Sequence, residues 1–206
     1  MRISKSRNNQ RQVAYTVELS EYDAEPPSRT WLVDELPGNI NPELEAVALY
    51  LVFGPWCGGE FVVPQKMGPN TAASISNHAG VEFFPGPIEY YPKRLATGKH
   101  QIRLASEITA AGARTLVLLD MGEWNGSLRS MTSLVIASNT ALFANANDNL
   151  PALIAPAVLL AEELSIMSLD VLGFIDPEDI QTEKPLLQAA GISLAAGRRH
   201  EYRGNV

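Results

Sequence analysis

The chain has 206 residues, 46% apolar and 19% charged, a balance that excludes wholesale disorder and suffices for one substantial core or two small lobes. Its formal charge of -7 is unevenly spread: Arg2, Lys5, Arg7 and Arg11 open the sequence, Arg198, Arg199 and Arg203 close it, and residues 12–197 carry nine basic side chains against twenty-two acidic ones. A body that acidic repels a phosphate backbone, which argues against nucleic acid as a partner.

In chain order, the ends read as basic flexible tails, 1–11 and 198–206, around a single expected domain, 12–197, with a composition shift at Thr97-Gly98 as a candidate lobe boundary. The polar ISKSRNNQRQ, residues 3–12, contains no apolar segment of the secretory type. Residues 12–19 alternate, with Val13, Tyr15, Val17 and Leu19 on one side, the mark of a half-buried strand. Glu25-Pro26-Pro27-Ser28 ends it, and residues 30–33 read as a second strand. The strongest helix signal follows: Asn41 is a cap, Pro42 suits the first helical position, and Glu43 and Glu45 sit at the positive end of the dipole. Leu44, Val47, Ala48 and Leu51 then repeat at helical spacing until Gly54-Pro55.

Residues 60–63 predict a short strand, 69–77 a helix ended by Gly80, and 81–84 and 88–91 two strands around the turn Pro85-Gly86-Pro87. Residues 101–111 read as mostly helical and 114–120 as an apolar strand. Asn125-Gly126, between that strand and the apolar run 131–138, predicts an antiparallel hairpin. Residues 151–166 predict a helix that Pro156 kinks or restarts. The surrounding stretch, 150–167, carries Glu162, Glu163 and two prolines, too short and too charged to span a bilayer, so no membrane partner is expected. Residues 169–174 read as a strand and 177–190 as one or two short helices. The expected fold class is α+β, a mixed sheet with antiparallel hairpins packed by four or five helices, with α/β as the alternative.

Pro55-Trp56-Cys57-Gly58 spells a thioredoxin-like turn around the single cysteine. A redox thiol needs the N-terminus of a helix, where backbone N–H groups stabilise the thiolate. Cys57 instead follows a helix C-terminus, precedes a strand, and has Glu60 where a resolving cysteine would stand. It is expected to be structural, and one cysteine without a disulfide partner suits a reducing, cytoplasmic compartment.

The same region carries a different likeness. The segment GGEFVVPQKMGPNTAASI, 58–75, has glycine after an apolar helix, apolar residues at Phe61, Val63 and Met67, and Pro69 before another helix. With Trp31, Leu36-Pro37 and Phe84-Pro85 it resembles, over residues 31–91, the leader region of PP-loop ATP pyrophosphatase (7-cyano-7-deazaguanine synthase-like) proteins. The resemblance implies fold-level kinship of the first half. The family's ATP signature, Ser-Gly-Gly-x-Asp-Ser, occurs nowhere in the chain, so its ATP chemistry does not carry over and no cofactor is expected.

Polar residues cluster at apolar strand ends: Asp120, Glu123 and Asn125, then Asn139 and Asp176. Two carboxylates three residues apart can hold a divalent ion or act as an acid and base pair, and Ser127 and Arg129 add a hydroxyl and a guanidinium for an anion. Hairpin tips and helix caps select the same residue types. His78, His100 and His200 are scattered and no metal-ligand spacing occurs, so no metal is expected. Phe83, Ile88, Tyr90 and Tyr91 gather more aromatic surface than one short hairpin buries, which points to a homo-oligomer interface. Two functions remain open: a non-catalytic small-molecule-binding or assembly module, which could also engage a protein partner, or a small enzyme using Asp120, Glu123 and Arg129 on an anionic or polar substrate.

Overall fold

The computed structural model describes residues 1–8, 12–80, 82–107, 114–171 and 177–195. Its elements are β1 (Arg2–Arg7), β2 (Val13–Glu18), β3 (Thr30–Val33), α1 (Pro42–Phe53), β4 (Glu60–Met67), α2 (Pro69–Ala79), β5 (Phe84–Ile88), β6 (His100–Ala105), β7 (Thr115–Asp120), β8 (Ser127–Arg129), β9 (Ser133–Ser138), α3 (Thr140–Asn145), α4 (Ala155–Leu159), β10 (Ile166–Asp170), α5 (Pro177–Ala189) and β11 (Ser193–Ala195). Short 3-10 turns lie at Gly54–Trp56, Ala146–Asp148 and Leu150–Ile154. The fold is α+β. The strands join in one mixed sheet of order β11-β10-β6-β7-β9-β3-β2-β1-β4-β5, with β8 beside β9.

Two half-sheets meet at β3 and β9, which share one ladder pair, Val33 with Ser138. Side chains complete this seam. Asn139 accepts the Leu32 N–H at 2.8 Å through its Oδ1 and donates its Nδ2 to the Thr30 carbonyl at 2.9 Å. The Trp31 indole donates to Thr140 Oγ1 at 2.8 Å. Asn139, grouped by sequence with the candidate site, therefore bonds strand backbone.

Helix α1 is buried from Glu43 to Phe53, on all sides rather than only along the stripe of Leu44, Val47, Ala48 and Leu51. Its cap forms as the sequence predicts, with Asn41 Oδ1 accepting the Glu43 N–H at 3.1 Å. Two carboxylates thereby enter the interior and need partners. Glu43 Oε1 accepts the Gly68 N–H at 2.8 Å, where α2 begins. Glu45, fully buried, accepts from Lys5 Nζ at 2.6 Å, the Tyr15 hydroxyl at 2.8 Å and Gln65 Nε2 at 2.7 Å. Burial, and then the charge and hydrogen bond of Glu45, raise the Tyr15 phenol above its ordinary value, so it remains a donor.

Several expectations change. The basic tail is not a tail through residue 7: β1 pairs with β2 and β4. Met1 and Ile3 point into the core while basic side chains take positions around them, which hides the strand in a charge-based view. Residues 100–105 form strand β6 rather than helix, because Ile102 and Leu104 are buried with period two; residues 108–111 lie outside the described part. The hairpin at Asn125-Gly126 does not form as predicted. β7 and β9 run parallel from Thr115 with Ser133 to Asp120 with Ser138, and the turn leads into β8, which returns antiparallel along β9.

Strand β5 runs through Pro85-Gly86-Pro87 instead of turning there. It is an edge strand, and prolines without N–H groups are tolerated at an edge. The helix expected over 151–166 is reduced to a 3-10 turn and α4, which starts at Ala155 with Pro156 in its first turn, while α5 is a single helix. The tenth strand begins at Ile166 and ends at Asp170. The candidate lobe boundary falls within one sheet, and Gly98 is a close crossing: a Cβ there would stand 1.9 Å from the Ile166 carbonyl oxygen. Asp176 and residues 196–206 lie outside the described part.

Replacing Glu45 by Ala leaves an ammonium, a phenol and an amide without their shared acceptor. The substitution should cost roughly 3–5 kcal/mol in urea unfolding, the scale of a broken buried pair. Glu25→Ala, which removes an exposed partner of Arg29, should leave the urea midpoint unchanged.

Candidate functional site

The C-terminus of α1 ends against a cavity of about 360 Å³ that reaches the C-terminal turn of α2 and the middle of α5. Three side chains form a line in its wall. The Tyr50 hydroxyl lies 2.9 Å from His78 Nδ1, and His78 Nε2 lies 3.2 Å from Glu183 Oε1. A carboxylate only accepts, so the histidine carries a proton on Nε2, and in its neutral form accepts the Tyr50 hydroxyl at Nδ1. Glu183 is 4% exposed, and its Oε2 is buried without a hydrogen-bond partner.

Local sequence sets each member. Tyr50 is held edge-on to Phe83 at 5.4 Å and Phe61 at 6.1 Å. Gly54 gives its ring room, since a Cβ there would meet Tyr50 Cδ2 and Cε2 at 2.7 Å. His78 stands in the last turn of α2, which Gly80 ends in the left-handed conformation at φ 66°. Glu183 lies in phase with Leu186 and Leu187, the buried side of α5. Burial, then Glu183 and Cys57, raise the Tyr50 phenol above its ordinary value.

Cys57 lines the same cavity after the Gly54–Trp56 turn. Its Sγ donates to the Glu60 carbonyl at 3.3 Å. Burial raises the thiol pKa; the Gly59 N–H and the Met1 ammonium oppose this, and Asp23 adds to it. Asp23 pins the neighbouring turn, accepting the Gly58 N–H at 2.8 Å and the Met1 ammonium at 2.8 Å. Burial alone would raise its carboxyl, but the Met1 ammonium, Gly58 and Ser20 prevail and hold it at about 2.

The residues singled out by sequence occupy different surroundings. Asp120 closes its own turn: its Oδ1 accepts the Gly122 N–H at 2.7 Å and its carbonyl accepts those of Glu123 and Trp124 at 3.0 Å. Glu123 and Ser127 are exposed. Asn125 borders a recess with Gln12 and Asp34, where Asp34 accepts the Gly126 N–H at 2.8 Å. The Arg129 guanidinium pairs with Glu163, so its charge is already answered. Of the aromatic group, Phe83 departs from the interface expectation: it is 5% exposed and packs on Tyr50 and Phe61. Ile88 is half-buried against the core, while Tyr90 and Tyr91 are 76% and 92% exposed.

Sequence reasoning passed over Tyr50, His78 and Glu183 because they are 28 and 105 residues apart. The usable signal was phase: His78 continues the buried stripe of Thr71 and Ile75, and Glu183 that of α5. Among the described residues no group of three or more His, Cys, Asp or Glu could hold a metal ion, and no helix is long and apolar enough to cross a membrane.

The raised thiol pKa predicts that Cys57 reacts with iodoacetamide at neutral pH more slowly than a free thiol of pKa about 8.5, with the rate climbing only at higher pH. A rate plateau reached below that value would contradict the burial of the thiol. Comparisons of the chain with protein-family models, curated proteins and solved structures find no match.

Proposed function

We propose that the protein is a small-molecule-binding module whose ligand occupies the cavity bordered by Tyr50, His78 and Glu183. One observation carries this: Glu183, which lines a cavity within the size range of small-molecule sites, has a buried carboxylate oxygen without a donor. An unsatisfied buried acceptor costs about 1–3 kcal/mol or more, which a donor from a ligand or an ordered water offsets. Binding is favoured over catalysis because burial keeps both the Tyr50 phenol and the Cys57 thiol protonated, so neither is an activated nucleophile. The likeness of residues 31–91 to a PP-loop leader region fits a cytoplasmic module serving a separate enzyme. The alternative enzyme built on Asp120, Glu123 and Arg129 draws less support, since Asp120 and Arg129 are engaged elsewhere.

The test is a thermal-shift screen of small fragments on the wild type and on Ala79→Leu, which narrows the cavity. A ligand at a hundred times its Kd should raise the midpoint by roughly 5–10 °C in the wild type and much less in the variant. No shift with any fragment, or equal shifts in both proteins, rejects the cavity as the site.

The exposed aromatics favour a second property, self-association. Tyr90 and Tyr91 follow edge strand β5, whose Phe84 is 62% exposed. Pro85 and Pro87 deny this edge two N–H donors, so a second copy would dock through aromatic side chains rather than extend the ladder. Light scattering at micromolar concentration should find a dimer or larger species that Tyr90→Glu with Tyr91→Glu converts to monomer. A monomeric wild type excludes it.

A further inference from the structure

We infer that the ligand of this cavity is an organic cation bearing N–H donors, an ammonium or amidinium group received by the free oxygen of Glu183. This rests on the cavity being a small-molecule site and names the chemistry it accepts.

The wall has its side-chain donors already committed. The Tyr50 hydroxyl serves His78, and His78 Nε2 serves Glu183. The Cys57 thiol serves the Glu60 carbonyl, and the Asn149 amide nitrogen donates to the Leu51 carbonyl at 3.1 Å. What remains is acceptor capacity, chiefly Glu183 Oε2. A ligand that only accepts finds no side-chain partner there, whereas one that donates satisfies a buried carboxylate oxygen through a charge-assisted bond.

Charge points the same way. Among the described residues lining the cavity, Glu183 is the only Asp or Glu and there is no Lys or Arg. The last turn of α1 carries no basic residue, and its Leu51 and Val52 carbonyls are met only by the neutral amide of Asn149, so the negative end of its dipole has no cationic side chain beside the cavity. The lysine of α5, Lys184, is half-buried and bonds Gln181. Both fields favour a cation and repel a carboxylate or phosphate. Phe83, Leu51, Pro55 and Pro151 supply apolar wall for the body of the ligand. Oε2 is closed to solvent in this conformation; the terminal torsion of glutamate is soft, so the carboxylate can turn Oε2 to a donor while α5 stays in place, with Oε1 loosening its bond to His78 Nε2.

The experiment is calorimetric titration of the full chain with five matched probes: benzylamine, benzamidine, benzamide, benzoate and benzyltrimethylammonium. Benzylamine or benzamidine should bind at least tenfold more tightly than neutral benzamide and than benzyltrimethylammonium, which is cationic but has no N–H, and benzoate should not bind. The better of the two cations tells an ammonium site from an amidinium site. Glu183→Gln, with its melting midpoint checked, should lose at least tenfold for the cations and little for benzamide. If that variant does not fold, the wild-type ranking decides alone. Benzoate, benzamide or the trimethyl compound binding as well as the two N–H cations overturns the ligand class while leaving the cavity a binding site. Failure of both N–H cations, with some other fragment bound in the cavity, does the same. Failure of every probe and every fragment overturns the class and the binding site together.

Discussion

The carboxylate of Glu45 is the point on which the first half of the molecule turns. It sits one turn into a helix with no solvent-facing side, and its acceptors are answered from three strands: Lys5 on β1, Tyr15 on β2 and Gln65 on β4. An isolated charge there would be costly, so the three donors must arrive together, and their arrival sets β1, β2 and β4 against the base of α1. The Tyr15 ring, fixed by this bond, stacks on Trp31 at 5.5 Å, and Trp31 reaches across the seam to Thr140. A polar contact at one helix end thus orders packing that extends into the second half-sheet.

The far end of the same helix makes the cavity. Because α1 is apolar from Ala46 to Phe53, its C-terminus stays inside the protein, and its final carbonyls need donors that water cannot supply. Asn149 supplies them at Leu51 and Val52. Tyr50, one turn before the helix stops, is held by Phe61, Phe83 and the bare backbone of Gly54, and it starts the line to His78 and Glu183. The two glutamates make a useful contrast. Glu45 has every acceptor answered within the chain and is structural, whereas Glu183 has one oxygen answered and one left over. The same comparison separates the cavity from the surface cluster around Arg129, whose charge is met by Glu163.

Local physics was legible without a structure. The Asn41-Pro42 cap, the apolar run to Phe53 and the stop at Gly54-Pro55 specify α1, because capping and period are encoded within a dozen neighbouring residues. The alternation of Val13, Tyr15 and Val17 specifies β2 in the same way. The placement of Cys57 between a helix C-terminus and a strand also follows from neighbours alone. The α+β class emerges from the sum of such elements.

Tertiary structure decided everything that depends on a distant partner. Asn125-Gly126 forces a turn, but which strand the returning chain joins depends on the edge available, and β9 is taken on one side by β7 in parallel and on the other by β8 and β3. Arg2–Arg7 becomes a strand because Glu45 and the flank of β2 await it; its own charges describe a tail. The line from Tyr50 to His78 to Glu183 joins α1, α2 and α5, and each member looks ordinary within its own segment. Hydrogen bonds of side chains are short-ranged in space and indifferent to separation along the chain. A sequence can therefore show that a polar residue shares the buried stripe of its helix, and only the packed structure shows what meets it there.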